Sequence, residues 1–146
     1  MLSQTNMLNA AAVATLEKWH QIVANGDLAK LHEIVHPDAV FRSPMAFKGY
    51  SPAPALVLAL QTVFTVFEDF TYHRQFAGDD MQSVVLEFSA RVGDKNLKGI
   101  DIIRFDNDGK ITEFEVMVRP LNALQALGME MGARLGHLLP AFKGKA

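Results

Sequence analysis

The stretch that decides the fold runs from Gly99 to Pro120 and reads GIDIIRFDNDGKITEFEVMVRP. Two runs rich in β-branched and aromatic residues flank the polar turn 106–109, Asp-Asn-Asp-Gly. Because Asn and Asp tolerate left-handed backbone and Gly readily adopts a positive φ, this composition predicts a hairpin between two strands. Asp101 lies between Ile100 and Ile102, in the most apolar part of the first strand. A carboxylate placed there must find a partner, change its pKa or face a cavity.

The residues before this hairpin alternate between helical and β-type patterns. Apolar side chains recur with helical spacing in 8–25, 27–36 and 51–67, where Asp27 and Ser51 are candidate caps and Pro37 stops the second helix. Segments 39–43, 70–76 and 83–92 have strand composition, and a turn at 93–96 leads into the central hairpin. The predicted order is helix, helix, strand, helix and then a meander of strands. This order is typical of an α+β fold with a mostly antiparallel sheet.

The residues after Pro120 predict a C-terminal helix at about 120–139, with an apolar stripe and three glycines, Gly128, Gly132 and Gly136, spaced by four. Each glycine costs about 1 kcal/mol of helix stability relative to alanine, so the spacing suggests close approach to another element or chain. We expect a helix packed tightly on its own sheet. A membrane interpretation of the spacing fails because Glu130 and Arg134 interrupt the segment.

Composition narrows the class of protein and the partners it can have. The 146 residues predict a single domain, 1–146, and the contents of 49% hydrophobic and 21% charged residues are typical of a globular protein. The net charge of −2, without a basic stripe, argues against nucleic acid, and no apolar run is long enough for a membrane span. Without cysteine, disulfides and thiol catalysis are excluded. The first basic residue is Lys18, so no signal peptide is indicated and we expect a cytoplasmic protein.

The strands around the central turn are apolar on both alternating faces. In the first strand, one face carries Leu97, Ile103 and Phe105, and the opposite face carries Ile100 and Ile102. In the second strand, one face carries Phe114, Val116 and Val118, and the opposite face carries Ile111 and Met117. An antiparallel sheet with one wet face alternates cleanly between apolar and polar residues. Both faces are therefore predicted to be covered, one by helices and the other by a second subunit in a homodimer.

His32-Glu33-Ile34-Val35-His36 matches the H-E-x-x-H pattern of zinc hydrolases. That chemistry needs both histidines on an intact helix and a third ligand. Pro37 directly follows the second histidine and disfavours helical backbone there, and no third ligand continues the pattern. We interpret the match as coincidence and expect no metal site. No phosphate-binding glycine loop occurs either, and no cofactor is expected.

Asp101 allows two interpretations that shift the pKa of its carboxyl in opposite directions. It either pairs with an arginine, the candidates being Arg42, Arg104 and Arg119, or it stands as an acid in a dry pocket. Pairing lowers the pKa of the carboxyl, and burial in a pocket raises it.

Three segments together resemble the nuclear-transport-factor-2-like superfamily, which includes ketosteroid isomerase and the SnoaL-like polyketide cyclases. They are residues 25–28 (NGDL) between two helices, 36–44 (HPDAVFRSP), and 101–111 (DIIRFDNDGKI). The resemblance implies a cone-shaped fold, in which a curved sheet wraps over the N-terminal helices and encloses an apolar pocket. It also implies that dimers are common.

The resemblance places Asp101 where ketosteroid isomerase has the protonated aspartate of its oxyanion hole. The tyrosine of that oxyanion hole corresponds to Trp19, and the aspartate that acts as general base corresponds to Ser43. The strand aspartate of the polyketide cyclases corresponds to Val116. One acid is kept and the known bases are missing, so we expect no steroid isomerase activity above background.

The resemblance and the strand parity together predict a pocket for a small apolar molecule, with Asp101 as the candidate catalytic residue. Its predicted lining is Trp19, Phe41, Ser43, Leu86, Phe88, Asp101, Ile103, Phe114 and Val116. The leading hypothesis is a SnoaL-like protein that binds such a molecule, with or without a reaction. The alternatives are a lyase, cyclase or isomerase acting next to a carbonyl with Asp101 as acid or hydrogen-bond donor, and a dimeric structural module with a vestigial pocket.

Overall fold

The computed structural model describes residues 8–136, and its elements follow the predicted order. They are α1 (Ala10–Asn25), a short 3₁₀ helix (Leu28–Glu33), β1 (Val35–Arg42), α2 (Ala53–Val66), β2 (Glu68–Ala77), β3 (Ser83–Val92), β4 (Lys95–Phe105), β5 (Ile111–Arg119) and α3 (Leu121–Leu135). The predicted α+β class is confirmed. Of the C-terminal helix predicted at about 120–139, residues 137–139 lie outside the described part of the chain.

The five strands form one sheet in the order β1-β5-β4-β3-β2. β1 runs parallel to β5 and the other pairs are antiparallel, which confirms the predicted mostly antiparallel sheet. The central hairpin joins β4 to β5, and Gly109 in its turn has a φ of 85°. A Cβ on this glycine would lie 2.5 Å from the carbonyl oxygen of Ala11, so the turn packs directly against α1. Only glycine combines this left-handed backbone with so close an approach.

A bulge at the start of β5 changes which side chains face the core. Arg104 pairs with Glu113 but Phe105 pairs with Ile111, so Thr112 is an extra residue in β5. Because a bulge shifts the alternation by one, Ile111 joins Phe114 among the fully buried residues. The prediction that Ile111 lies on the opposite face from Phe114 was therefore wrong.

The segment between α1 and β1 also differs from its prediction. Residues 28–33 form one short 3₁₀ stretch rather than an α-helix, and Val35 already belongs to β1. Asp27 makes no capping hydrogen bond and instead lies 3.1 Å from the Lys30 ammonium. Ser51 is not the cap of α2 either, since Pro52 occupies that position without a side-chain hydrogen bond. The chain leaves helical geometry before Pro37 could stop it.

The core lies between the inner face of the sheet and α1 and α2. Its largest fully buried side chains include Trp19, Phe88, Phe105 and Phe114. The Trp19 ring meets Phe114 edge-on at 5.2 Å, which fixes α1 across β5. Burying each such side chain contributes roughly 1.5–3 kcal/mol, so the inner face provides most of the packing energy.

The outer face of the sheet carries Ile100 and Ile102, both partly exposed, and Met117, which is 47% exposed. The apolar residues on both faces of β4 are therefore observed, and the second subunit expected to cover the outer face stays a prediction. Among the helices of residues 8–136, none combines the length and hydrophobicity needed to cross a bilayer.

Candidate functional site

A cavity of about 330 Å³ lies between the sheet, α2 and α3. Its volume falls at the lower end of the range typical of small-molecule sites. The wall is formed by Phe41, Ser43, Pro44, Met45, Tyr50, Ala59, Leu60, Val63, Phe64, Phe67, Phe70, Asp101, Val116, Leu127, Gly128, Met131, Gly132 and Gly136. Ser43, Tyr50 and Asp101 carry the polar side-chain groups of this wall, and the other side chains are apolar.

Asp101 is the carboxyl of this wall and is only 5% exposed. It sits in the middle of β4, paired with Leu86 of β3 and Val116 of β5, so apolar residues flank it on both neighbouring strands. Burial raises the pKa of Asp101 to about 7, because the charged form loses its hydration, while a hydrogen bond from Tyr72 acts in the opposite direction. Near neutral pH the group is therefore present both as a neutral acid and as a carboxylate.

A chain of two hydrogen bonds ends on Asp101. The indole N–H of Trp19 donates to the hydroxyl of Tyr72 at 3.0 Å, and that hydroxyl donates to Oδ2 of Asp101 at 2.5 Å. Burial and the adjacent Asp101 raise the pKa of Tyr72 well above its ordinary value, so the phenol keeps its proton. The chain brings together α1, β2 and β4, which are far apart in sequence.

The arginine interpretation of Asp101 is contradicted. Arg42 donates instead to Glu113 at 2.9 Å, and Arg104 and Arg119 are exposed. Arg104 has the opposite parity from Asp101 on β4, so its side chain leaves the sheet on the other face. Within residues 8–136, no ion pair joins Asp101 to a basic side chain, and its hydrogen-bond partner is Tyr72.

The family model of the SnoaL-like domain matches residues 16–114, more than half of the chain. This chain belongs to the SnoaL-like family. A solved structure described as a steroid delta-isomerase from Pseudomonas aeruginosa is 62% identical and covers 91% of this chain and 97% of its own, with a TM-score of 0.87. The match makes ketosteroid-isomerase-like architecture plain, in agreement with the resemblance seen in the sequence.

Two more distant structures agree on the fold of this SnoaL-like chain. An uncharacterised conserved bacterial protein with a cystatin-like fold, from Silicibacter pomeroyi, is 28% identical over 89% of this chain and 94% of its own, with a TM-score of 0.81. An NTF2-like protein of unknown function from Mesorhizobium loti is 15% identical over 82% of this chain and 97% of its own, with a TM-score of 0.65, and shows the fold alone. None of the curated proteins matches this chain significantly.

The nine residues predicted to line the pocket of this SnoaL-like domain divide into two groups. Phe41, Ser43, Asp101 and Val116 lie on the cavity wall. Trp19, Leu86, Phe88, Ile103 and Phe114 do not, and each is at most 1% exposed in the core. Whether any of the nine contacts a ligand stays a prediction.

Aromatic residues that line the cavity pack against two members of the second group, Trp19 and Phe88. Phe64 on α2 lies 6.1 Å from Trp19, and Phe70 on β2 stacks on Phe88 at 5.0 Å. Both phenylalanines line the cavity. Strand parity predicted which side chains point inward, but it could not predict that α2 and β2 would place a second aromatic layer in front of them.

The glycines of α3 and of its C-terminal cap lie on the cavity side of the SnoaL-like fold. Gly128, Gly132 and Gly136 all line the cavity. A Cβ on Gly128 would lie 2.3 Å from the terminal carbon of Met45, whereas a Cβ on Gly132 would meet nothing within 4 Å. The helix packs on β3, β4 and β5, as expected, but these glycines do not make that contact, because Gly128 makes room for Met45 and Gly132 borders open space.

The two histidines of the zinc-like pattern do not share a helix. His32 belongs to the 3₁₀ helix and its Nδ1 lies 2.7 Å from the carbonyl oxygen of Ala29. His36 lies in β1, where its Nδ1 accepts a hydrogen bond from the backbone N–H of Asp38. Across residues 8–136, no three His, Asp or Glu side chains cluster in a way that could hold a metal ion. The helical pair that zinc hydrolases require is therefore not formed.

Tyr72 is the part of the site that sequence reasoning missed. It belongs to β2 and pairs with Phe88, on the inward parity that Phe70 shares. A signal was present, because a tyrosine at an inward strand position needs a partner for its hydroxyl. The register of β2 is irregular between Tyr72 and Gln75, so no alternation rule could have assigned that partner.

Proposed function

We propose that this SnoaL-like chain binds a small, mostly apolar molecule that carries a carbonyl oxygen, with neutral Asp101 as the hydrogen-bond donor to that oxygen. One observation carries the proposal: the wall of an otherwise apolar cavity holds a buried carboxyl whose pKa is raised to about 7. The apolar wall contributes affinity by removing apolar ligand surface from water, at roughly 25 cal/mol per Å². The acid contributes orientation, because a neutral carboxyl can donate where a carboxylate cannot.

The binding test uses the bicyclic ketone 2-decalone, whose affinity is measured by calorimetry for four forms of the protein. Asp101→Leu removes the donor, and we expect affinity to fall about three- to tenfold, the usual worth of one hydrogen bond. Asp101→Asn keeps an N–H donor and should bind close to the unmodified protein. Ser43→Ala removes another polar group of the same wall and serves as the matched control.

The pH dependence of this binding gives the second readout. Since the carboxylate cannot donate, affinity for 2-decalone should fall as pH rises through about 7 in the unmodified protein. Affinity of Asp101→Asn should stay constant over the same range. Equal affinity of all four proteins at every pH would contradict the proposal and leave the structural module with a vestigial pocket as the better account.

A second candidate function is proton transfer next to a carbonyl, as in an isomerase, lyase or cyclase. It is favoured by the 62% identical structure described as a steroid delta-isomerase. A carboxyl with a pKa near the working pH is also well suited to general acid–base catalysis. The obstacle is that the described part of the cavity wall holds no second carboxylate and no histidine, so Asp101 would have to act without a separate base.

A standard Δ5-3-ketosteroid assay separates the two candidates. We expect no turnover above background, because a positioned base normally contributes a hundred- to ten-thousand-fold and Ser43 supplies none without its own activator. Robust turnover by the unmodified protein that disappears in Asp101→Asn, but not in Ser43→Ala, would instead establish proton transfer by Asp101.

A further inference from the structure

We propose that Trp19 and Tyr72 are positioning residues that hold the proton of neutral Asp101 on Oδ1, the oxygen that Tyr72 does not occupy. This inference rests on the proposed role of Asp101 as the group that meets the ligand, and it adds which oxygen of that group carries the proton it donates. Neither Trp19 nor Tyr72 lines the cavity, so both act through Asp101.

The direction of the hydrogen-bond chain follows from its first member. An indole N–H can donate but cannot accept. The Trp19 N–H therefore donates to the hydroxyl oxygen of Tyr72, and the phenolic hydrogen of Tyr72 must be donated to another group. Its acceptor is Oδ2 of Asp101. If Oδ2 carried the proton of the neutral acid, two hydrogens would lie between the same two oxygens. The proton is consequently assigned to Oδ1.

The packing around Tyr72 and Trp19 keeps this direction fixed. Trp19 is fully buried, with its ring against Phe114 and Phe64. Tyr72 is held edge-on by Phe70 at 4.8 Å. In residues 8–136, no fully buried side-chain nitrogen or oxygen lacks a hydrogen-bond partner. Reversing the chain would turn the phenolic hydrogen of Tyr72 toward the indole N–H, which cannot accept it, and leaving that hydrogen buried without an acceptor is costly.

One other titratable group approaches the chain. His20, the next residue on α1, packs edge-on against Tyr72 with ring centroids 5.3 Å apart. Burial lowers the pKa of His20 below 6.5, while a hydrogen bond with Gln75 acts in the opposite direction. The side chains that α2, α3, β3 and β5 present around Asp101 are apolar. His20 is therefore the group whose titration must be separated from that of Asp101.

The single tryptophan makes a direct test possible, because a ¹⁵N-labelled sample gives one indole N–H signal by NMR. In the unmodified protein we expect this signal to shift with a midpoint near the pKa of Asp101, about 7, because ionisation of the acid strengthens both bonds of the chain. Asp101→Asn should abolish the transition and His20→Gln should leave it in place. A transition lost in His20→Gln but kept in Asp101→Asn would overturn the proposal.

Tyr72→Phe removes the middle of the chain. A bond from Tyr72 stabilises the carboxylate more than the neutral acid, so its loss should raise the pKa of Asp101 by about one pH unit, measured by carboxyl-carbon NMR. A merely structural tyrosine would lower stability and leave that pKa unchanged, and this result would contradict the proposal. Folding of the variant is checked by the dispersion of the same spectra.

Replacing Trp19 biosynthetically by benzothienylalanine keeps the shape of the ring but removes the N–H. The Tyr72 hydroxyl is then free to turn and accept the proton of Asp101, so affinity for 2-decalone at about pH 6 should fall by roughly three- to tenfold with little loss of stability. Unchanged affinity, combined with a clear loss in Asp101→Leu, would refute the positioning role and leave the proposed function intact. If instead the indole N–H signal shifts with pH as expected but no variant alters 2-decalone binding, the positioning of the proton stands and the ligand proposal fails.

Discussion

Replacing Asp101 by asparagine isolates the pH dependence that burial of this carboxyl creates. Between pH 3.8 and about 7 the unfolded chain has released a proton that the folded chain retains, so stability falls as pH rises through this window. At 1.36 kcal/mol per pH unit, the full decrease is about 4 kcal/mol, and it persists above pH 7. The asparagine oxygen can still accept from Tyr72. We therefore expect Asp101→Asn to match the unmodified protein near pH 4 and to be more stable at about pH 8.

Urea unfolding at several pH values measures this difference. Asp94→Asn is the control, because Asp94 is also an aspartate but its side chain is 89% exposed in a turn. It should change stability little at any pH. A loss of stability in Asp101→Asn that is largest near pH 8 would mean that the carboxylate, not the acid, is the form the fold requires.

For single residues, the sequence predicted that Asp101 is a buried acid but not which residues form the hydrogen-bond chain that ends on it. Asp101 was recognisable because a carboxylate interrupted an apolar strand. Its supports were not recognisable, since Trp19 and Tyr72 are 53 residues apart and Tyr72 and Asp101 are 29 apart. Their contact depends on the register of β2 and on the angle of α1 across the sheet, and neither is specified by local pattern.

The helix α3 supplies one side of the cavity, and Gly132 marks its rim because it is exposed and also lines the cavity. A leucine at this position would extend into the open space. We expect Gly132→Leu to weaken 2-decalone binding roughly tenfold, in line with the usual 1–3 kcal/mol cost of forcing extra volume into an occupied site.

Ala133→Leu is the matched control for this prediction. Ala133 is the next residue on α3, is exposed and does not line the cavity. It should leave affinity unchanged. Both variants are compared by calorimetry after their melting temperatures have been measured. Equal affinity in the two leucine variants would show that α3 does not limit the ligand.

The elements themselves were predicted well, and the errors lie where tertiary structure overrides local pattern. Apolar spacing identified α1, α2 and α3, and the polar turn at 106–109 identified the hairpin. The 3₁₀ helix was mistaken for an α-helix because Val35 completes an apolar stripe there, yet it pairs with Ile111 as a strand residue. The bulge at Thr112 was not predicted, although two consecutive polar residues, Thr112 and Glu113, interrupt the alternation between Ile111 and Phe114.

On the scale of the whole molecule, we propose that two copies of the chain associate through the outer face of the sheet. Ile100 and Ile102 occupy the middle of that face, and the exposed Met117 pairs with Ile100 on the neighbouring strand. Stable interfaces bury roughly 800 Å² per partner, a size that a five-stranded sheet face can provide. Sedimentation at about micromolar concentration should give twice the chain mass.

Two substitutions test where the copies meet. Ile102→Glu places a charge at the centre of the proposed interface and should produce monomers. Met129→Glu places the same charge on α3, where the side chain is 76% exposed, and should leave the dimer intact. Monomers of the unmodified protein at this concentration would contradict the proposal.

The family was recognisable from the sequence because three short segments occur in the right order, and the SnoaL-like match over residues 16–114 confirms it. The size of the cavity was not predictable, since it depends on where α3 closes over the sheet and on the aromatic layer of Phe64 and Phe70. The fold and the position of Asp101 follow from the local sequence pattern and from strand parity. The depth of the cavity and the access to it depend on packing between residues that are far apart in the sequence.

Carboxyl-carbon NMR titration of Asp101, with Asp101→Asn to assign the signal, tests the central claim most directly. The claim is that this residue is a neutral donor on the wall of a ligand cavity. It predicts a pKa of about 7 in the free protein and a higher pKa with 2-decalone bound, because a ligand that accepts from the acid stabilises its protonated form. A pKa at or below the ordinary 3.8, unchanged by the ketone, would contradict it.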